Sequence, residues 1–387
     1  TPIRVLFIYP NTFGMNMFPP AIALFSAVLK REGHSVRLFD ATYYSVDYGI
    51  DSDGSKADNL NVVPYDVSER GIRMKTTSWV DDLQNEYDDF SPDLISMSTT
   101  EDMWNLGLSL LDSLRSRIKR DKTPVLVGGV FPTFAPDLVI AQDLVNMVCL
   151  GEGEEAMVDL CYRIGKGINY EEVTNLWVKT DDGRLVKNGV TKPVDINSLP
   201  MLDLSLFEDQ RLYRPMAGNW YRMLPVETIR GCPYKCTYCN SPNQIEFYKD
   251  NSTASFFRKK DVKLVHAELK NFVDNHGMEY AYFWADTFLA MSNREFDEFC
   301  EMYQDIKLPF WMQTRPETLN EEKVKRLADV GLHRISFGVE HGNEEFRKKY
   351  LARSFKNQDI IDKLKIPHRH GVQFSVNNIT GFPHETR

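Results

Sequence analysis

No run of apolar residues comes near the ~18 that a helix needs to cross a bilayer. Nor does the amino terminus carry the charged, apolar and small-residue regions of a signal peptide, and Ile3 to Tyr9 reads as a short strand instead. Basic charge is not in excess: 46 Lys and Arg against 55 Asp and Glu leave a net charge of −9, which disfavours a general nucleic-acid or polyanion binder. Fixed short repeats and low-complexity runs are absent. Cysteine is scarce, with six in the chain. Cys149, Cys161 and Cys300 are scattered through apolar patterns, as buried free thiols of a reducing compartment are, so a cytoplasmic location is expected. What remains is a chain of 387 residues, 42% hydrophobic and 26% charged, long enough for two or three globular domains.

The other three cysteines are concentrated. Arg230-Gly231-Cys232-Pro233-Tyr234-Lys235-Cys236-Thr237-Tyr238-Cys239-Asn240 places Cys232, Cys236 and Cys239 within eight residues. Iron-sulfur clusters take thiolates from short loops, and a four-iron cluster held by only three leaves one iron open to an exogenous ligand. Structural zinc is the competing reading, but no second Cys or His pair lies nearby to close a four-ligand site.

Two α/β regions surround this loop. Residues 1–170 alternate strands and helices: strands Ile3–Tyr9, Ser35–Ala41, Asp93–Ser98, Val125–Val127 and Met147–Leu150, with helices Ala21–Arg31, Trp79–Phe90, Met103–Arg120, Leu138–Asp143 and Glu155–Gly165. That pattern predicts an N-terminal doubly wound parallel sheet of Rossmann-like type, whose ligands sit at the carboxyl ends of the strands. Those ends read Pro10-Asn11-Thr12, Ser98-Thr99-Thr100-Glu101, Gly128-Gly129-Val130-Phe131-Pro132-Thr133 and Gly151-Glu152-Gly153-Glu154. Small and hydroxyl residues let backbone amides approach a bulky ligand, although ordinary turns and helix caps use the same residues. Tyr43 to Thr77 is too long for an ordinary connection and reads as a surface excursion or lid. Residues 171–218 read as a linker with a β-hairpin turning at Asp181-Asp182-Gly183. In residues 219–387 the alternation restarts as five β/α units with chemistry at strand ends, as in a barrel enzyme. The chain stops at Arg387, where a sixth strand is expected, so the barrel is expected to be truncated at its C-terminal end.

The C-x3-C-x2-C spacing, with Gly231 before the first cysteine and Tyr238 before the last, resembles the radical S-adenosylmethionine (SAM) enzymes and their partial (β/α)6 barrel. The segments S-T-T, G-G-V-F-P-T and G-E-G-E upstream of it resemble the cobalamin-binding domain of the B12-dependent radical SAM enzymes. The resemblance implies a [4Fe-4S] cluster, SAM and cobalamin as cofactors. Cys232, Cys236 and Cys239 are then metal ligands and the candidate catalytic residues. SAM is expected to meet Tyr238 through its backbone, Glu340 through its ribose or amino group, Arg353 through its carboxylate and the Ile379 to Phe382 region through its adenine. Asp286 and Arg315, at comparable strand ends, would orient either substrate or cofactor. The implied cobalamin contacts are Asn11, Thr12, Ser98, Thr99, Glu101, Trp104, Gly128, Gly129, Val130, Phe131, Thr133, Gly151, Glu152 and Gly153, with the nucleotide tail near Gly128 and Gly129. The D-x-H-x-x-G segment that supplies a histidine to cobalt is missing, and His34, placed before a strand, is expected at the surface, so no histidine ligand is expected.

For such a family member the implied reaction is C-methylation of a small molecule at an unactivated carbon or phosphorus by way of the 5′-deoxyadenosyl radical, with flavodoxin or ferredoxin as electron donor. The competing readings are an oxidative cyclase or rearranging enzyme that transfers no methyl group, and a non-enzymatic cobalamin-binding protein. A methylthiotransferase needs three further cysteines in the first domain, where only Cys149 and Cys161 stand.

Overall fold

Val5, Leu6, Phe7 and Ile8 are all buried, so the first strand offers apolar side chains to both of its faces. A strand of that kind belongs inside a parallel sheet covered by helices on either side. In the computed structural model, which describes residues 1–14, 17–46 and 68–385, it is β1 (Arg4–Tyr9). The chain forms two compact units, Thr1–Trp220 and Tyr221–Arg387.

The first unit continues through α1 (Pro20–Arg31), β2 (Ser35–Asp40), α2 (Trp79–Phe90), β3 (Leu94–Ser98), α3 (Trp104–Ser113), α4 (Arg115–Asp121), β4 (Val125–Gly128), α5 (Val130–Phe134), α6 (Pro136–Ile140), β5 (Met147–Cys149) and α7 (Glu154–Lys166). Strands β1 to β5 are parallel in the order β2-β1-β3-β4-β5. The order reverses between β1 and β3, which opens a crevice at their carboxyl ends. Most of the long connection after β2, residues 47–67, lies outside the described residues.

Three local expectations change. The helix expected over Met103–Arg120 is two helices, interrupted where Leu114 adopts φ −96° and ψ 0°. The helix expected over Leu138–Asp143 is α6, which starts earlier because Pro136, lacking an N–H, suits a first helical position, and which ends at Ile140; the short α5 precedes it over Val130–Phe134, where a strand-end loop was expected. The hairpin β6 (Leu176–Lys179) and β7 (Leu185–Lys187) also does more than link, since β6 pairs antiparallel with β5 and extends the sheet to seven strands. Asn175, in the left-handed region at φ 67°, ties it down by donating to the Glu152 carbonyl (2.8 Å) and accepting from the Thr191 amide (2.7 Å). Further on lies β8 (Tyr213–Met216).

The sheet of the second unit holds β9 (Asn219–Glu227), β12 (Tyr280–Trp284), β13 (Phe310–Thr314), β14 (Leu332–Glu340) and β15 (Gln373–Asn378), parallel and in that order, as a half-barrel. Strand β9 ends at Glu227, and Thr228 breaks the chain's extended run. Past the break, β10 (Ile229–Arg230) pairs antiparallel with β11 (Arg258–Lys259), and the cysteine loop and α8 (Asn240–Asn251) run between the two. The remaining helices are α9 (Val262–His276), α10 (Asn293–Tyr303), α11 (Glu321–Val330), α12 (Glu344–Tyr350) and α13 (Asn357–Arg369). Phe283 packs within 5.7 Å, centroid to centroid, of Phe288, Phe299, Tyr303 and Phe310, so this face of β12 meets α10. Side chains alternate along a strand, and Tyr282 and Trp284 therefore face the concave side.

Candidate functional site

Gly231 turns the chain from β10 into the cysteine loop at φ 87°, and a Cβ there would come within 3.1 Å of the Phe256 carbonyl oxygen. The close approach of Phe256 and Phe257, just before β11, thus accounts for glycine before the first cysteine. All three thiols are free; Cys232 and Cys236 are buried and Cys239 is half-buried. Each has a polar neighbour. Cys232 Sγ lies 3.4 Å from Thr287 Oγ1, the Ser241 amide donates to Cys239 Sγ at 3.4 Å, and Arg315 Nη1 donates to Cys236 Sγ at 3.5 Å. Burial pushes the Cys232 and Cys239 thiols up; the hydrogen bonds from Thr287 to Cys232 and from the Ser241 amide to Cys239 partly offset this, and the nearby Asp286 carboxylate adds a smaller rise to both. Among the described residues no three His, Cys, Asp or Glu side chains gather as a site for a single metal ion. Three separate thiols, wrapped by N–H and O–H donors, fit a cluster that gives each cysteine its own iron.

Beside the loop stands a buried cation. Arg353, 2% exposed, donates to Tyr238 Oη (2.8 Å), Glu340 Oε1 (3.1 Å) and the Gly338 carbonyl (2.8 Å). Its Nε is buried and has no partner among the described residues. Glu340 reaches this position at a cost: its φ is 75°, and the pairing of β14 with β15 slips between Gly338 and Glu340. Such strain at a non-glycine residue costs ~1–3 kcal/mol and clusters at functional sites. Burial raises the Glu340 carboxyl pKa, partly offset by Arg353. Burial likewise raises the Tyr238 hydroxyl. Phe382 lies edge-on to Tyr238 at 6.2 Å and 5.7 Å from Phe346, an aromatic lining in the segment expected to meet adenine. Asp286 reaches solvent just past β12, yet desolvation raises its carboxyl. Gly338 is a residue that sequence reasoning missed. A Cβ there would sit 2.1 Å from Glu340 Oε1, so the carboxylate occupies the space that only glycine leaves open. Tyr234, Thr287 and Glu317 were missed as well. They are ordinary polar and aromatic residues until the fold brings them to the loop.

In the first unit the strand-end residues divide by what they touch. Several hold the loops themselves. Asn11 donates to Thr42 Oγ1 (2.8 Å), Thr133 bridges the Gly129 carbonyl (2.8 Å) and the Gly151 amide (3.0 Å), and Glu152 accepts from the Val194 amide (2.8 Å). Thr99 is buried with its hydroxyl on the Thr100 carbonyl, and its own carbonyl is so near Gly129 that a Cβ would meet it at 2.5 Å. Gly153 packs on Cys149 and Phe25, while Gly128 and Gly151 are half-buried. Others face outward: Glu101 and Val130 are exposed, Ser98 is half-buried, and Trp104 and Phe131, also half-buried, lie 5.5 Å apart, tilted. Val130 and Phe134 leave an apolar shelf after β4. Thr12 Oγ1 is buried without a partner among the described residues. A flat, largely apolar ligand edged by hydrogen-bonding groups suits these strand ends. His34 stands before β2, at the amino end of the strand and so opposite the carboxyl ends, where its Nδ1 accepts from the Ile3 amide at 3.1 Å.

Comparison with known families matches residues 226–387 to the radical SAM superfamily and residues 57–161 to the B12 binding domain. Both domains occur in one chain. It belongs to the B12-dependent radical SAM family.

This radical SAM chain is 24% identical to an uncharacterized methyltransferase of Pyrococcus horikoshii over 95% of its own length and 71% of that protein. It is also 24% identical to the anaerobic magnesium-protoporphyrin IX monomethyl ester cyclase of Rubrivivax gelatinosus, over 87% of this chain and 55% of the cyclase. The structure of the cobalamin-dependent SAM radical enzyme OxsB, solved with aqua-cobalamin and SAM bound, superposes with a TM-score of 0.73 at 18% identity, over 98% of this chain and 49% of OxsB. At that identity the likeness is one of fold. The chain spans only about half the length of the last two proteins. Among the described residues no helix is long and apolar enough to cross a membrane.

Proposed function

We propose that the protein holds a [4Fe-4S] cluster on Cys232, Cys236 and Cys239, SAM beside it and cobalamin on the strand ends of the first unit, and that it methylates an unactivated carbon of a small molecule. When bound, these groups supply reductive cleavage of a carbon–sulfur bond and a transferable methyl group. The chain's own part is placement. Arg353 carries the proposal: a buried guanidinium, fixed by Tyr238, Glu340 and Gly338, with one N–H unspent, is suited to a ligand carboxylate arriving next to the cysteine loop. Glu340 is suited to a ribose or amino group, and the Phe382 edge to an adenine face. In the first unit, Thr12 has a hydroxyl to offer, the Val130 and Phe134 shelf takes an apolar ring face, and Trp104 and Phe131 flank it. No histidine ligates cobalt in this reading, as His34 lies at the amino end of β2, away from the strand carboxyl ends. A flavodoxin or ferredoxin supplies electrons.

The cyclase relative favours a second reading, in which SAM is cleaved but no methyl group moves. One experiment separates the two. The protein, reconstituted without oxygen with iron, sulfide and hydroxocobalamin and then reduced, is given SAM labelled in its methyl carbon. Methyl transfer predicts 5′-deoxyadenosine together with label in the recovered corrin. The cyclase reading predicts 5′-deoxyadenosine with an unlabelled corrin. Neither product from protein loaded with iron would overturn both, and Cys236→Ala should abolish both products.

A further inference from the structure

Arg315, just past β13, is a cation that donates a hydrogen bond to a cysteine of the loop, and three contacts fix it there. Its guanidinium lies 3.8 Å over the Tyr234 ring, donates from Nη1 to Cys236 Sγ at 3.5 Å and pairs with Glu317 two residues on. The Arg315 side chain is 12% exposed, and Glu317, 30% exposed, also reaches Arg353 Nη2 at 3.9 Å. Cys236, Arg315, Glu317, Arg353 and Glu340 thus form one row of alternating charge, which runs from the cysteine loop to the cation assigned above to SAM.

We propose that Arg315 is a positioning residue that sets the reduction potential of the cluster through Cys236, and that Glu317 moderates it. The inference rests on the cluster assignment above and deepens it. Reduction adds negative charge to a cluster, and a cation or an N–H donor at a ligating sulfur favours the reduced form and raises the potential. Stacking on Tyr234 holds the planar guanidinium where a flexible lysine ammonium would not be held. Glu317 withdraws part of that positive field by pairing with the same group. The arrangement has a purpose beyond packing, since Arg315 keeps a donor on a thiol while a carboxylate is at hand.

The test is a redox titration of the reconstituted, substrate-free protein followed by electron paramagnetic resonance, with iron and sulfide counted in each sample. Arg315→Gln should keep its iron and titrate at a more negative midpoint than the wild type, with Arg315→Lys between the two. Glu317→Gln should move the midpoint the other way. Wild-type midpoints in all three iron-loaded variants would overturn the proposal. Should Arg315→Gln fail to retain iron, Glu317→Gln decides alone: an upward shift supports the role, and an unchanged midpoint overturns it. A wild-type protein that takes up no iron and shows no signal would instead sink the cluster assignment itself.

Discussion

The site depends on single atoms whose placement local sequence does not encode. Cys232, Cys236 and Cys239 are legible from their spacing, because a cluster loop needs several thiols close in sequence. Glu340 and Arg353 are legible only by resemblance, and their pairing at 3.1 Å appears once β14 is folded. Gly338 is not legible at all, because its need arises from a left-handed Glu340 and a slipped strand register. Gly338→Ala should displace the carboxylate and weaken SAM binding to the iron-loaded protein about tenfold, or ~1.4 kcal/mol, by calorimetry. Unchanged affinity would remove Glu340 from the SAM site. The remaining thiols behave differently. Burial pushes both Cys149 and Cys161 up to about 12, from an ordinary 9.0. A raised pKa gives stability that is complete below the unfolded value and lost as pH climbs towards the folded one. Chemical denaturation should therefore show stability falling between pH 9 and 12, and less steeply in Cys149→Ala measured against its own value at pH 7. At pH 8 both thiols should resist alkylation in the native protein and react on unfolding.

Among elements, strands buried on both faces and helices with strong apolar periodicity were legible within a residue or two. Those missed were polar or short. Helix α8, Asn-Ser-Pro-Asn-Gln-Ile-Glu-Phe-Tyr-Lys-Asp-Asn, buries only Ser241 and Tyr248, so little periodicity marks it. Its start is set by Cys239, whose sulfur accepts from the Ser241 amide as a cap. Helix α12 is capped in turn by Asn343, which accepts from the Phe346 amide at 3.0 Å. Cys239 thus caps α8 as well as being a proposed cluster ligand, and substitution separates the two roles. Cys239→Ser and Cys239→Ala should both lose iron, but in the iron-free state the serine variant, which keeps a capping oxygen, should be more stable than the alanine variant by about 1 kcal/mol in urea denaturation. Equal stability would show that the cap contributes nothing.

At the scale of the molecule, two α/β units each place their candidate functional residues at strand carboxyl ends, where helix and loop starts leave amides and short side chains unspent. This organisation was legible because alternation of strand and helix over more than a hundred residues admits few topologies. The antiparallel hairpin on the first sheet was not, since pairing with β5 is a long-range event that its own turn signal does not report. With both cofactors in place, one chain carries two kinds of metal centre. Iron and cobalt should therefore be quantified in one sample of the reconstituted protein after gel filtration. The expected result is about four irons and about one cobalt per chain, with Cys236→Ala losing the iron and keeping the cobalt. Iron retained without cobalt, or cobalt without iron, in the wild-type protein would contradict it.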